Sequence, residues 1–449
     1  MTNQSKRLTP TDYILAVQHL FAMFGATILV PLITGLNPST ALLSAGIGTL
    51  IFHLCTKGKL PVFLGSSFAF MTACTVYVPD ILNPGNKVVD STLVPKVQGG
   101  IIVAGLVYLI FAFMAYFVGA YRIKKIFPPI VTGPVIVVIG IQLSSTAISD
   151  CGFLKAFTPA VLINVLIAIF TLAVVIICSI FAKGFFKLVP ILIGLASGYV
   201  LCIILCACGV LDWSVMNFAK ITKAEWINIP FKTVDTNGVQ FITLPKFDLA
   251  YILSIAPIAL VTFMEHIGDV TTNSAVVGQN FLKDPGLHRT LTGDGVATAV
   301  AGLIGGPANT TYSENTGVLA TTNNYNPKIL RVTAVIAILL SFIGKFGAIL
   351  QTIPNPVKGG VEIMLFGMIA AIGIRTLAEA KLDFTSSRNL IVVGCILVFG
   401  LGINSLGGLN ISIGGDRVLN ISGLFVAVVV GVIVNLVLSI GNKNKENNE

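Results

Sequence analysis

PANTTYSENTGVLATTN, residues 307–323, is short and polar and carries a carboxylate, yet it stands between the apolar runs Leu291–Gly306 and Ile329–Ile353. Such a stretch is either a loop in water or a broken span at membrane depth. Polar backbone is tolerated in a bilayer only where it lines an enclosed cavity. In the second case Glu314 and Asn315 face a ligand, and the rest of the chain is the frame that holds this segment at the midplane.

Composition favours the second case. Of 449 residues 55% are hydrophobic and 10% charged, with mean hydropathy +0.91. Soluble domains carry about 25% charged residues, so the chain reads as a polytopic membrane protein. The net charge of +9 does not point to nucleic acid, because the basic residues are scattered in ones to threes between apolar runs. Residues 1–11 are polar, and the run 13–35 is too long for a signal-peptide core, so it is expected to be the first span. The eight cysteines form no C-x-x-C pair and read as small apolar packing residues.

A helical span needs about 20 apolar residues. Candidates fall at 13–35, 39–56, 60–78, 98–120, 126–147, 157–182, 187–211, 247–272, 288–306, 307–322, 328–354, 358–378, 387–405 and 420–441, fourteen in all. The third and tenth are the poor ones, broken by Gly65-Ser66-Ser67 and by Tyr312-Ser313-Glu314-Asn315. Of 28 Lys and Arg, this arrangement puts eighteen on the side of both termini and nine opposite, with Lys345 inside span 11. The positive-inside rule then makes the termini cytoplasmic. The long loop 212–246 divides the chain into seven spans and seven. Seven is odd, so the halves enter the membrane from opposite sides, and the broken span is third in each. Interrupted spans at corresponding positions of two inverted halves mark a transporter binding site.

Charged residues inside spans default to function. Glu265 and Asp269, four apart in span 8, share a helix face, with His266 about 100° away. Span 9 has Asp294, span 10 Glu314, and span 1 Gln18-His19. There is no H-E-x-x-H, G-x-S-x-G or P-loop, so no metal site, hydrolase or ATP-driven step is expected. His53 and His288 read as structural, and the sequon-like Asn309-Thr310-Thr311 as part of a buried span. Carboxylates beside free backbone N–H groups near Phe68 and Ser313 suit a small, flat, polar molecule with N–H donors and C=O acceptors. Carboxylates gathered at low dielectric can also hold a proton near neutral pH, a device for proton coupling.

The motifs QHLFAMFG (18–25), LGSSFAF (64–70), EHIG (265–268), DPGLHR (284–289), NTTY (309–312) and Glu314-Asn315-x-Gly317 together resemble those of the nucleobase–ascorbate (nucleobase:cation symporter-2) transporters, and most of all their bacterial uracil-permease branch. The resemblance runs from about Gln18 to the last span. It implies an all-α polytopic fold of fourteen transmembrane segments as a seven-plus-seven inverted repeat, with short strands in spans 3 and 10. A core domain would comprise residues 1–120 and 247–354, and a gate domain 121–211 and 355–441. Residues 212–246 would be an extracellular loop and 442–449 a cytoplasmic tail. The core would move against the gate, in a homodimer in the lipid bilayer of the cytoplasmic membrane. The implied activity is proton-coupled import of uracil, not catalysis, with no cofactor. A xanthine, urate or broad-specificity permease is the alternative, and an anion transporter of the same fold a distant one. By position, Glu265, Glu314, Phe68, Ser313, Ala26 and Tyr312 would bind substrate. Asp269, His19, Gln18, Asp294 and Asn315 would support the site or the proton. The sequence departs from the uracil branch at Asp269 (often His), Asp294, Ser313 (often Gly) and Asn323, whereas Glu314 favours that branch.

Overall fold

The computed structural model describes residues 8–79, 87–119, 122, 127–153, 158–234, 240–412 and 418–446. Of the basic residues used for sidedness, Lys6, Arg7, Lys124, Lys125, Lys155 and Arg417 lie outside that set, as do the expected boundary at 120/121 and the last three residues of the expected tail.

Most elements are long apolar helices, and proline starts many of them. Its fixed φ suits the first turn, where its missing N–H would be unpaired in any case. Helices α1 (Pro10–Thr34) and α2 (Pro38–Cys55) begin this way. Strand β1 (Leu64–Ser66), the hairpin of β2 (Tyr77–Pro79) with β3 (Lys87–Val89), and α3 (Val94–Val118) complete the first stretch. Next come α4 (Pro129–Cys151), α5 (Pro159–Phe181) and α6 (Pro190–Ala207), each with proline at its start. The hairpin β4 (Lys232–Val234) with β5 (Gln240–Ile242) precedes α7 (Leu249–Val277) and α8 (Leu287–Ile304). Strand β6 (Asn309–Thr311), α9 (Ser313–Thr322), α10 (Pro327–Ser341) and α11 (Gly344–Leu350) follow. The chain ends with α12 (Asn355–Glu379), α13 (Ser387–Ser405), the hairpin of β7 (Leu409–Ser412) with β8 (Val418–Ile421), and α14 (Gly423–Glu446). Among the described residues nine helices are long and apolar enough to cross a membrane. Large apolar side chains such as Phe113, Phe117, Phe181 and Val398 point outward, as expected where the solvent is lipid. The protein is a mostly helical polytopic membrane protein, with four two-stranded antiparallel sheets added among the described residues.

Helices α1, α2, α3, α7, α8, α9 and α10 pack on one another around β1 and β6, and α4, α5, α6, α12, α13 and α14 form a second group with few contacts to the first. Glycine makes the closest pairs possible. Within the first group Gly105 of α3 and Gly295 of α8 face each other's carbonyl oxygens; within the second, Gly373 of α12 faces Gly133 O of α4 and Gly140 of α4 faces Phe366 O of α12. Lipid tails are as apolar as leucine, so helix association in a membrane rests on such close backbone packing.

Lys345, inside the expected eleventh span, donates from Nζ to Ile221 O (2.6 Å) and Thr222 O (3.4 Å) and lies 5.9 Å from the Trp226 ring centroid. It thereby satisfies carbonyls at the end of the short helix Ala219–Lys223 and ties the long loop to α11.

A Cβ at Gly373 would sit 2.6 Å from Gly133 O and 2.7 Å from Val137 N, atoms of backbone that cannot swing away. Gly373→Val is therefore expected to destabilise the protein by about 1–3 kcal/mol, read as an earlier thermal unfolding transition in detergent. Gly402→Ala, where nothing lies within 4 Å, should leave the transition unmoved.

Candidate functional site

Two extended segments meet inside the first helix group. β1 and β6 pair antiparallel, Leu64 opposite Thr311, Gly65 opposite Thr310 and Ser66 opposite Asn309. The pairing extends beyond the strands: Ser67 N donates to Ala308 O (2.8 Å) and Tyr312 N to Phe63 O (3.0 Å). Four helices add further hydrogen bonds to the two segments. Leu64 N donates to Thr49 Oγ1 of α2 (2.9 Å), Ser66 Oγ to Thr27 O of α1 (3.1 Å), Thr298 Oγ1 of α8 to Asn309 O (2.9 Å), and Asn273 Nδ2 of α7 to Pro61 O (3.0 Å). Asn309 Nδ2 donates to Ser44 O of α2 (2.9 Å). Gly48 of α2 leaves the room for that amide, because a Cβ there would collide with it.

Strand β6 runs straight into α9, whose first-turn N–H groups have no intrahelical partner. Ser313 opens the helix and Glu314 is in its first turn. Across from it, α7 presents Glu265 and Asp269 one turn apart. Both carboxylates are half-buried, Gly268 between them and Ser313 opposite are exposed, and Asp269, Asp294 and Glu314 all act electrostatically on Glu265. Asp269 is bracketed by two hydroxyls from the broken segment, Thr311 Oγ1 on Oδ2 (2.6 Å) and Ser313 Oγ on Oδ1 (2.5 Å).

The other residues singled out from sequence divide into those facing this space and those behind it. Phe68 is half-buried and meets Phe366 of α12 edge-on, with centroids 6.2 Å apart. Tyr312 is buried and its hydroxyl donates to Ser66 O (2.9 Å), so the side chain clamps the strand pair. Ala26 is fully buried in the apolar cluster with Met23 and Phe24. Asn315 Nδ2 donates to His19 Nδ1 (3.1 Å) and His19 O (3.0 Å), which joins α9 to α1; Gln18 beside it is half-buried. Asp294 does not reach Asp269. Its Oδ2 accepts from His266 Nδ1 (3.0 Å), and both side chains are fully buried. The helical offset that turns His266 away from Glu265 is what aims it at α8.

Thr311, named only within the NTTY motif, and Asn273 are given no role by the sequence, because an uncharged side chain in a broken or apolar run carries no distinguishing signal. Lys358 and Glu362 could have been found. They lie four apart in the span expected at 358–378, and both are buried in the first two turns of α12. Their i, i+4 spacing is legible in the sequence. Among the described residues no group of three or more His, Cys, Asp or Glu could hold a metal ion.

The Permease family (Xan_ur_permease) matches residues 11–407 of the chain. A protein of Haemophilus influenzae named "Probable uracil permease" is 40% identical over 97% of this chain and 95% of its own length. The "Uracil permease" of Bacillus subtilis is 41% identical over 96% and 93%, and that of Escherichia coli 38% over 95% and 91%. In fold, the chain is similar to the transmembrane domain of the cyanobacterial bicarbonate transporter BicA, with TM-score 0.60, 14% identity and coverage of 95% of this chain and 97% of that one. It is also similar to the murine anion transporter Slc26a9, with TM-score 0.66, 11% identity and coverage of 97% and 70%. A family match over most of the chain, with relatives aligned along nearly their whole length, makes this chain a member of the Permease family.

Proposed function

We propose that the protein carries uracil across the cytoplasmic membrane in symport with protons. The observation that carries the reading is the placement of Glu265 on α7 opposite Glu314 in the first turn of α9. Uracil alternates N–H and C=O around its ring. The two carboxylates accept from its N–H groups, and the unpaired backbone N–H groups at the start of α9 and near Phe68 donate to its carbonyls. Phe68 and Ser313 border the ring, and Tyr312 and Ala26 hold the backbone that does so. The relatives named uracil permeases support the substrate. A carboxylate-rich site is the wrong electrostatics for an anion, so the likeness to anion carriers is one of fold.

Asp269 is the proton partner in this reading. It lies one turn from Glu265 and its two oxygens are held by Thr311 and Ser313, residues of the same broken segment that carries Glu314. His266–Asp294 and His19–Asn315 fix α7 and α9 from behind, with Gln18 beside them.

The same reading takes the chain as fourteen membrane segments in two inverted halves, both termini cytoplasmic. The packing supports it. If span n of the first half corresponds to span n+7, the contact of α3 with α8 has its image in that of α10 with α2. Likewise α5 on α12 maps onto α13 on α4, and α5 on α6 onto α13 on α14, while the β1–β6 and α4–α12 pairs map onto themselves. The first helix group is the core (1–120 and 247–354) and the second the gate (121–211 and 355–441). The core slides past the gate within each protomer of a homodimer.

Glu265→Gln removes a charged hydrogen-bond partner worth about 1.5–3 kcal/mol, an expected loss of about 10- to 160-fold in uracil affinity by calorimetry; wild-type affinity would remove Glu265 from the site. Asp269→Asn is expected to keep uracil binding within a few-fold and to abolish uptake driven by an inward proton gradient. Uptake by the wild-type protein should collapse with a protonophore and be the same with and without Na⁺.

A further inference from the structure

A cavity of about 680 Å³ lies away from the carboxylates, between the two helix groups. One wall is the turn after Phe68, with Thr72 and Thr75, together with Tyr251 and Ser254 near the start of α7. The other wall is Gln142 and Ser145 of α4, Asn404 at the end of α13, and the start of α14. Its lining residue on α7 nearest in sequence to Glu265, Ile258, is seven residues before it, about 10 Å along the helix. Hydroxyls and carboxamides line the cavity together with the apolar Ile141, Leu401 and Leu424, and among the described lining residues none is charged.

Two of those carboxamides are tied together, Asn404 Nδ2 donating to Gln142 Oε1. One bond uses one of the two N–H donors of Asn404 and one of the two lone pairs on Gln142 Oε1. Each amide keeps both donor and acceptor capacity in a fixed orientation. A carboxamide held in this way matches an adjacent N–H/C=O edge of a flat ring with two parallel hydrogen bonds, as Asn and Gln match the edge of adenine. An anion would lose hydration here without a cation among the described lining residues to offset it.

We propose that this cavity is a second, uncharged binding station for a neutral cyclic amide, with Gln142 and Asn404 as its recognition pair, through which substrate passes to or from the carboxylate site. The inference rests on the proposed uracil transport and adds a site to it. Because the walls belong to different helix groups, movement of the core past the gate opens and closes the station.

The test is saturation-transfer NMR on purified Glu265→Gln protein in detergent, with uracil and, separately, orotate, a uracil ring bearing a carboxylate. A residual uracil signal is expected, with none from orotate. The uracil signal should fall several-fold when Gln142→Leu and Asn404→Leu are added. Asn404→Asp, which keeps the shape and replaces the donor by an anion, should lower it several-fold and covers the case in which the leucine pair does not fold. No uracil signal in Glu265→Gln, or a signal untouched by either set of substitutions, overturns the proposal. If Glu265→Gln binds uracil as tightly as wild type, the carboxylate assignment fails, while the dependence of the signal on Gln142 and Asn404 still decides the station.

Discussion

Two stretches of this chain run extended through the interior of a helical membrane protein, and neither has water to satisfy its peptide groups. An unpaired backbone group in hydrocarbon costs several kcal/mol, so a lone extended segment at this depth would not persist. Each stretch is the other's solution. Three residues of β1 lie opposite three of β6, with one further backbone bond beyond each end; the side chains of Thr49, Thr298 and Asn273 bond further backbone groups of the two stretches, and Ser66 Oγ donates to Thr27 O. These partners come from α2, α8, α7 and α1, so the strand pair ties the first helix group together.

The site is a by-product of this constraint. A chain that leaves a strand must restart its helix in the middle of the protein, and that restart exposes first-turn N–H groups where helices normally have none to offer. Tyr312, whose hydroxyl reaches across to Ser66 O, fixes the turn between β6 and α9 and thereby aims Glu314. Asp269 is held by hydroxyls of that same turn, so the carboxylate read as the proton carrier and the carboxylate read as a substrate ligand hang on one short piece of backbone. In the proposed reading, protonation of Asp269 changes the bonds of Thr311 and Ser313 and is felt by Glu314 through that turn.

Much of this was legible in the sequence because the bilayer penalises exceptions so heavily. Glu314 and Asp269 stood out against apolar surroundings, and Gly65-Ser66-Ser67 and 307–323 marked the interruptions. What escaped was pairing. Spacing along α7 shows that His266 points away from Glu265, but only the packing of α8 against α7 shows that Asp294 meets it. Thr311 and Asn273 look like any small polar residue until the strand pair puts an acceptor or donor beside them. Lys358 and Glu362 did carry a signal, two charges four apart in the span expected at 358–378, and were passed over although charged residues inside spans default to function.

The central claim is that a carboxylate-framed broken helix selects a neutral nucleobase. Uptake of radiolabelled uracil into proteoliposomes with an inward proton gradient tests it most directly, with unlabelled uracil, thymine, xanthine, urate and sulfate as competitors. Accumulation suppressed by uracil and unaffected by sulfate is expected, with poor competition by xanthine and urate. Accumulation of uracil that ignores the gradient, or that sulfate suppresses, would contradict it.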